Sequence, residues 1–175
     1  MLRRLAPIHL GYDALLDKVS AGIAKAGDAG HLDIAALVFW KRVRADRWTQ
    51  AFLVTPDGAV RVATRAAFAR GLTDAQRKAA LASLPGFRTG TFAIGSALLC
   101  AWQQDEYPVL DRRSVATLRK MAPSCPCNLG SYTTYAPAVR AIRDELNRQG
   151  VPVPGPGAAI KRWNARDVDK ALFRA

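Results

Sequence analysis

The segment between residues 84 and 119 carries the groups best suited to chemistry. It contains a Pro-Gly turn at Pro85 and Gly86 and, about 25 residues later, the carboxylate of Asp111. Proline ends the preceding helix and glycine accepts dihedrals that other residues avoid, so residues 84–91 are predicted to form a tight hairpin. Unpaired N–H groups beside a helix N-terminus suit a phosphate oxygen. The segment therefore combines an anion anchor with a lone carboxylate on one rigid unit.

The flanking sequence predicts the helices that would position these groups. Thr73-Asp-Ala-Gln76 is a capping box, so we expect a helix from there to Leu84. An apolar stretch from about Thr91 to Trp102 is predicted to be the helix that leaves the hairpin. Tyr107-Pro-Val-Leu-Asp111 is then the loop that leads to a further helix. Residues 73–121 thus form the predicted hairpin unit.

The rest of the chain also has helical spacing. Helices are predicted at 12–26, 32–44, 63–70, 112–121, around 135–146, and after an Asn164 cap. Thr55-Pro-Asp-Gly58 is predicted to be a turn, which leaves open either a small β-hairpin near residues 50–62 or frayed helix ends. Residues 151–157 alternate Pro and Gly, as in a linker or surface loop. The sequence predicts one all-α domain over residues 1–175.

The composition points to a polyanionic partner. The chain has 175 residues, half of them hydrophobic, which is enough for one core. Its 26 Lys and Arg against 14 Asp and Glu give a net charge of +12, a surplus typical of nucleic-acid-binding proteins. Arginine suits planar phosphate contacts better than lysine does. Scattered basic residues on an ordinary soluble protein are the alternative.

Other site types find little support in the sequence. No signal-peptide region and no apolar run of membrane-spanning length is found, so no membrane partner is expected. Three cysteines, an odd number, make no disulfide framework, which favours a reducing cytoplasm. Cys125-Pro-Cys127 with Cys100 lacks the four ligands of a zinc or iron–sulfur site. We therefore expect neither a metal nor a cofactor.

The hairpin unit resembles the helix-hairpin-helix DNA glycosylase superfamily, which includes endonuclease III, the adenine glycosylases and the oxidised-guanine glycosylases. The resemblance lies in Leu84-Pro-Gly86 after a capped helix, Thr89 to Thr91, the apolar helix and Tyr107-Pro-Val-Leu-Asp111. The family pattern is roughly Leu-Pro-Gly-Val-Gly, a polar residue, an apolar helix and Val-Pro-Val-Asp. The close match covers about 35 residues.

The resemblance implies a mechanism and a set of site residues. In that family the hairpin holds the DNA backbone, a nucleotide is flipped into a pocket, and the aspartate helps break the N-glycosidic bond. A fixed carboxylate stabilises the oxocarbenium charge that develops on the sugar. Asp111 would be this electrostatic or general-base residue. The DNA-binding residues implied are Gly86, Phe87, Arg88, Thr89 and Gly90 in the hairpin, with Arg112 and Arg113 after it.

The chain departs from the family pattern at two hairpin positions. Arg88 stands where the family has its second glycine, and Gly90 stands where bifunctional members carry a lysine nucleophile. The iron–sulfur cysteines that many members carry near the C-terminus are also absent. The resemblance therefore implies monofunctional hydrolysis with water as the nucleophile.

Aromatic residues supply the candidates for a base pocket, namely Trp40, Trp163 and Phe173. Each of them also suits the hydrophobic core, and Asp111 also suits a plain helix N-cap. Trp40 adjoins a basic cluster, and arginine with aromatic residues can hold unstacked bases.

Three functions remain open on this sequence. The first is a monofunctional DNA glycosylase that removes a damaged or modified base in base-excision repair, with an 8-oxoguanine-like purine as the first candidate. The second is a catalytically inactive DNA-binding module of the same fold in a DNA repair or phage-defence assembly. The third is a basic protein–protein adaptor, whose binding would be insensitive to salt, whereas binding to phosphates weakens steeply with salt.

Overall fold

Within the residues that the computed structural model describes, the chain forms eight α-helices and no strand, which confirms the all-α prediction for them. The described residues are 13–43, 50, 54–87, 92–153 and 162–175. The helices are α1 (Ala14–Ala26), α2 (His31–Lys41), α3 (Asp57–Phe68), α4 (Asp74–Ala82), α5 (Ala93–Trp102), α6 (Arg112–Met121), α7 (Tyr132–Arg148) and α8 (Ala165–Arg174). None of these helices is long and apolar enough to cross a membrane.

Helix α5 lies at the centre of the fold because its sequence is almost wholly apolar. Every residue from Ile94 to Ala101 is buried. Helix α5 packs against α1 and α2, α3 packs against α4, α4 packs against α7, and α8 packs against both α6 and α7. Burial of this surface is the main favourable term in folding. Helices α4 and α5, on either side of the Pro-Gly turn, therefore pack mainly against other helices and not against each other.

Gly95 allows α5 to contact the ring of Phe92. A Cβ at position 95 would lie 2.2 Å from that buried ring, whereas a Cβ at Gly58 in α3 would meet nothing within 4 Å. Overpacking a core costs about 1–3 kcal/mol, and alanine in an open helical position gains about 0.5–1 kcal/mol over glycine. We therefore expect Gly95→Ala to be less stable than Gly58→Ala by at least about 1 kcal/mol in urea unfolding. Equal stability of the two variants would contradict this packing.

The second strand of the possible β-hairpin near residues 50–62 is helical in the structure, so the hairpin is not formed. The turn predicted at Thr55–Gly58 is also wrong, because Asp57 and Gly58 already belong to the helix. Pro56 is the N-cap of α3, which begins at Asp57 rather than at Ala63. The carboxylate of Asp57 accepts the N–H of His31 at 2.6 Å, and an acidic residue in the first turn suits the helix dipole. The buried residues of α3 are Val60, Thr64, Ala67 and Phe68, which share one helical face. Residues 51–53 lie outside the described residues.

The capping signals in the sequence place other helix ends correctly. The N–H of Gln76 donates to the hydroxyl of Thr73 at 3.2 Å, and the N–H of Thr73 donates to the Gln76 side chain at 2.8 Å. Asn164 caps α8 by accepting the N–H of Asp167 at 2.6 Å. The helix predicted at 32–44 ends instead at Lys41, because Arg42 turns into the left-handed region with φ 54°.

The cysteines form one local bridge. Cys125 and Cys127 are joined by a disulfide within the loop between α6 and α7, and Cys100 is a buried free thiol in α5. Burial raises the pKa of Cys100 to about 12, so this thiol stays protonated. A bridge across a single intervening residue connects no separate elements, and it is therefore not a framework of the fold.

Candidate functional site

The segment that leads to Asp111 is held in place by hydrogen bonds from the core. The N–H of Leu110 donates to the buried hydroxyl of Ser96 in α5 at 2.8 Å. The hydroxyl of Tyr132, buried in α7, donates to the carbonyl oxygen of Pro108 at 3.2 Å. Such buried partners leave the backbone little freedom. Two helices therefore determine where α6 begins and where its first side chains point.

Both carboxylate oxygens of Asp111 are engaged. Asp111 is the N-cap of α6, and its Oδ1 accepts the backbone N–H of Arg113 at 2.8 Å. Its Oδ2 accepts from the Nζ of Lys41 at 2.9 Å, and the Lys41 side chain, at the end of α2, is only 9% exposed. The orientation of this carboxylate is therefore set from two sides.

The surroundings of Asp111 keep it ionised. Partial burial opposes its ionisation, but the charge of Lys41 and the N–H of Arg113 outweigh burial, so the pKa of Asp111 lies below its usual value. The carboxylate is negative at neutral pH. It can therefore stabilise a cation or accept a proton next to it.

Asp111 faces a cavity of about 710 Å³ between α2, α6 and α8. This volume lies within the usual range for small-molecule sites. Of the residues predicted from the sequence, the cavity brings together Asp111, Arg112, Arg113, Trp40 and Phe173. Residues more than 130 positions apart in the chain thus meet at one site.

The two aromatic residues of the cavity differ in accessibility. Trp40 is only 4% exposed, and the guanidinium carbon of Arg166 lies 5.0 Å from its ring centre. Phe173 is 41% exposed, and the guanidinium carbon of Arg113 lies 5.2 Å from its ring centre. Such cation–π contacts hold a ring in position. Phe173 is therefore the ring with accessible surface for a ligand.

Trp163 lies elsewhere, in the core. It is 4% exposed, its indole N–H donates to the carbonyl of Val151 at 2.8 Å, and it does not line this cavity.

The predicted hairpin is described only at its start. Gly86 has φ 84°, the left-handed conformation expected of a Pro-Gly turn. The N–H of Phe87 donates to the carbonyl of Leu84 at 3.3 Å, and the ring of Phe87 packs against the core. The remaining predicted hairpin residues, Arg88, Thr89 and Gly90, lie outside the described residues.

A buried ion network forms the wall of the cavity that α8 provides. Arg166, 7% exposed, pairs with Asp169 and with Asp13, the latter at 3.1 Å. Lys170 pairs with Asp13 at 3.1 Å. Buried charges persist only when they are paired in this way, and removing one partner is costly. The network fixes α8 against the start of α1 and holds Arg166 over the ring of Trp40.

The cavity is nevertheless positive. Seven basic and three acidic side chains line it, and the three carboxylates, Asp13, Asp111 and Asp169, are all neutralised by the pairs described above. Arg42, Arg112 and Arg113 are exposed, and no carboxylate of the described residues lies within ion-pair distance of them. A concave site with one sign of unpaired charge attracts an anionic ligand.

Sequence reasoning missed Lys41 and Arg42 as site residues. Both close a helix, and there a basic residue is expected for the dipole alone. Lys41 is 70 positions from Asp111, and no local spacing relates the two. The one available signal was the adjacent Trp40, since an aromatic residue among basic ones is typical of base-binding surfaces.

Among the described residues, no group of three or more His, Cys, Asp or Glu side chains could hold a metal ion. Comparison of the chain with models of protein families, with curated proteins and with solved structures finds no match. The likeness to the glycosylase superfamily therefore rests on the residues of the hairpin unit, and the site rests on its own geometry.

Proposed function

We propose that this protein binds DNA, takes one nucleotide into the cavity beside Asp111 and hydrolyses its N-glycosidic bond. The observation that carries the proposal is the ionised, doubly held carboxylate of Asp111 in a positive cavity of about 710 Å³. The net charge of +12 supports a polyanionic partner. The turn around Gly86, between α4 and α5, is proposed as a helix-hairpin-helix contact to the DNA backbone.

The proposed chemistry needs a fixed negative charge close to the sugar. As the bond between the sugar carbon and the base nitrogen breaks, the base takes the bonding electrons and the sugar becomes an oxocarbenium ion. Each carboxylate oxygen of Asp111 has one lone-pair site left after its contact with Lys41 or Arg113. Water then attacks the cation, Asp111 accepts the proton that the water loses, and the anionic base takes up a proton from Asp111 or from solvent water, which restores the carboxylate. A carboxylate already oriented pays little reorganisation cost during this step.

The cavity walls suit an extruded nucleotide. Phe173 offers a partly open ring for the base, and a base stacked on an aromatic side chain gains about 1–3 kcal/mol. Arg112 and Arg113 begin α6 directly beside the carboxylate. The substrate class proposed is a damaged or modified base, with an 8-oxoguanine-like purine as the first to test.

A second candidate is a DNA-binding module of the same fold without chemistry. One observation favours it, because Asp111 makes the two contacts that a purely structural aspartate would make, an N-cap and an ion pair. This module would bind DNA with the same dependence on salt and would release no base.

Base release from duplexes that each carry one damaged base tests the proposal. With protein in excess, we expect one lesion to be converted to an abasic site that alkali cleaves, and we expect binding to weaken steeply with salt. Intact strands after alkali for every lesion, with salt-sensitive binding retained, would favour the binding module. Strand breaks without alkali would contradict hydrolysis by water.

A further inference from the structure

We propose that the cavity is a self-sufficient binding site for a single nucleoside monophosphate, whose phosphate is held by the guanidinium groups of Arg42, Arg112 and Arg113. The inference rests on the proposed function, because it assigns the ligand contacts of the same cavity. It goes further in requiring no DNA. A free nucleotide should enter the site and compete there with DNA.

The charge pattern inside the cavity supports an anion as the ligand. The pairs between Lys41 and Asp111, and between Arg166 and its two aspartates, leave no acidic side chain of the cavity unneutralised. Besides Arg166, four arginines line the cavity. Arg42, Arg112 and Arg113 come from two elements, the end of α2 and the start of α6, and Arg174 lies at the end of α8. Guanidinium groups bind phosphate oxygens through paired hydrogen bonds. One phosphate could be contacted from two sides.

Arg42 ends α2 as a left-handed C-cap. Arg42 has φ 54° and ψ 37°, and it is the one residue other than glycine with positive φ among the described residues. This conformation disfavours residues with a Cβ, and glycine is the usual residue at such a helix end. Strained positions of this kind gather at ligand sites. Arg42 thus stands, on the edge of the cavity, at a helix end where glycine is the more usual residue.

The α8 side of the cavity offers a contact for the nucleoside. Phe173 has accessible ring surface, the guanidinium carbon of Arg113 lies 5.2 Å from its ring centre, and Asp111 lines the same cavity. A phosphate on the arginines and a base near Phe173 would leave the sugar near the carboxylate. The arrangement therefore predicts that the phosphate and the nucleoside both contribute to the affinity. Inorganic phosphate alone and the nucleoside alone should each bind more weakly than the nucleotide.

Calorimetric titration of the wild-type protein in low salt measures this directly. The probes are 2′-deoxyguanosine 5′-monophosphate, the 3′-monophosphate, 2′-deoxyguanosine and inorganic phosphate. We expect at least one monophosphate to bind about tenfold or more tighter than the nucleoside and than inorganic phosphate, since a charged hydrogen bond contributes roughly that factor. Equal affinity for nucleotide and nucleoside, or no binding of any probe, would overturn the proposal.

The variant Arg42→Gly separates binding from folding. Glycine suits the left-handed backbone, so the variant should be at least as stable as wild type. Its affinity for the monophosphate should fall about tenfold. Arg119→Gln is the matched control, because Arg119 is an exposed residue of the last turn of α6 that does not line the cavity. An equal loss in the two variants would show non-specific attraction and overturn the site.

The outcomes also separate this inference from the proposed function. Nucleotide binding without base release from any duplex would support the site and leave the protein as a binding module. Base release without nucleotide binding would uphold the proposed reaction and overturn the self-sufficient site.

Discussion

Asp111→Asn is expected to slow base release by about a thousandfold, because it removes the charge that stabilises the oxocarbenium ion. Asparagine is as good an N-cap as aspartate, so α6 should still begin at Arg112. Single-turnover release with protein in excess measures the effect on the chemical step apart from binding. DNA affinity should change little, because the variant keeps every arginine of the cavity. A rate within about tenfold of wild type would contradict a central role for this carboxylate.

The same variant leaves the ammonium of Lys41 without its partner in a largely buried position. We expect the free energy of unfolding to fall by about 1–3 kcal/mol. The double variant Asp111→Asn with Lys41→Met removes both charges, and it should regain part of this loss while remaining inactive. Recovery of stability without recovery of activity would separate the two roles of Asp111. Recovery of activity would assign the defect to folding.

Lys41→Met is expected to move the acid limb of the rate–pH profile to higher pH and to reduce the rate at neutral pH by about tenfold to a hundredfold. Lys41 is the charge that lowers the pKa of Asp111, so its loss lets burial raise that pKa. The carboxylate then protonates at a higher pH, and its orientation is held from one side only. Rates of release measured from pH 3 to pH 8 show the shift. Lys120→Met, an exposed lysine of α6 outside the cavity, is the control and should match wild type.

The free energy of unfolding should also depend on pH through the protonation of Asp111. The folded-state pKa of Asp111 is lowered, so its contribution to stability is complete above the ordinary aspartate value of 3.8 and is lost as pH falls through the lower folded-state value. Without Lys41 the pKa of Asp111 is lowered less, so the protein loses less stability as the pH falls. A profile of Lys41→Met identical to wild type, in rate and in stability, would contradict the ion pair as the source of the shift.

The sequence predicts the elements whose ends carry local signals. Thr73 and Asn164 are caps that bond only within their own helix, and the left-handed Gly86 follows from the Pro-Gly pair. Asp111 is at once a local cap and the site carboxylate, so its position was predictable from the same rules. Local chemistry of this kind depends little on the rest of the fold.

Other features depend on tertiary packing and could not be predicted. Residues 59–64 alternate well enough for a strand, yet they are helical. Val60 packs in a cluster with Ile34 and Val38 of α2, and the hydroxyl of Thr64 bonds the backbone of Ala29. The sequence does not distinguish Trp40 from Trp163 as a candidate for the base pocket. Only the folded chain shows that Trp40 lines the cavity and Trp163 does not. The pair of Lys41 with Asp111 joins helices distant in sequence, which no local pattern reveals.

The most direct test of the central claim, that Asp111 stabilises a cationic sugar in this cavity, is the affinity for two duplexes of similar shape, of which only one carries a positive charge in the sugar position. One carries a pyrrolidine, a cationic analogue of the oxocarbenium ion, and the other carries the neutral tetrahydrofuran. We predict that wild type binds the pyrrolidine duplex about a hundredfold tighter and that Asp111→Asn loses this preference, because transition-state analogues exploit the groups that act in the reaction. Equal affinity of wild type for the two duplexes would contradict the account.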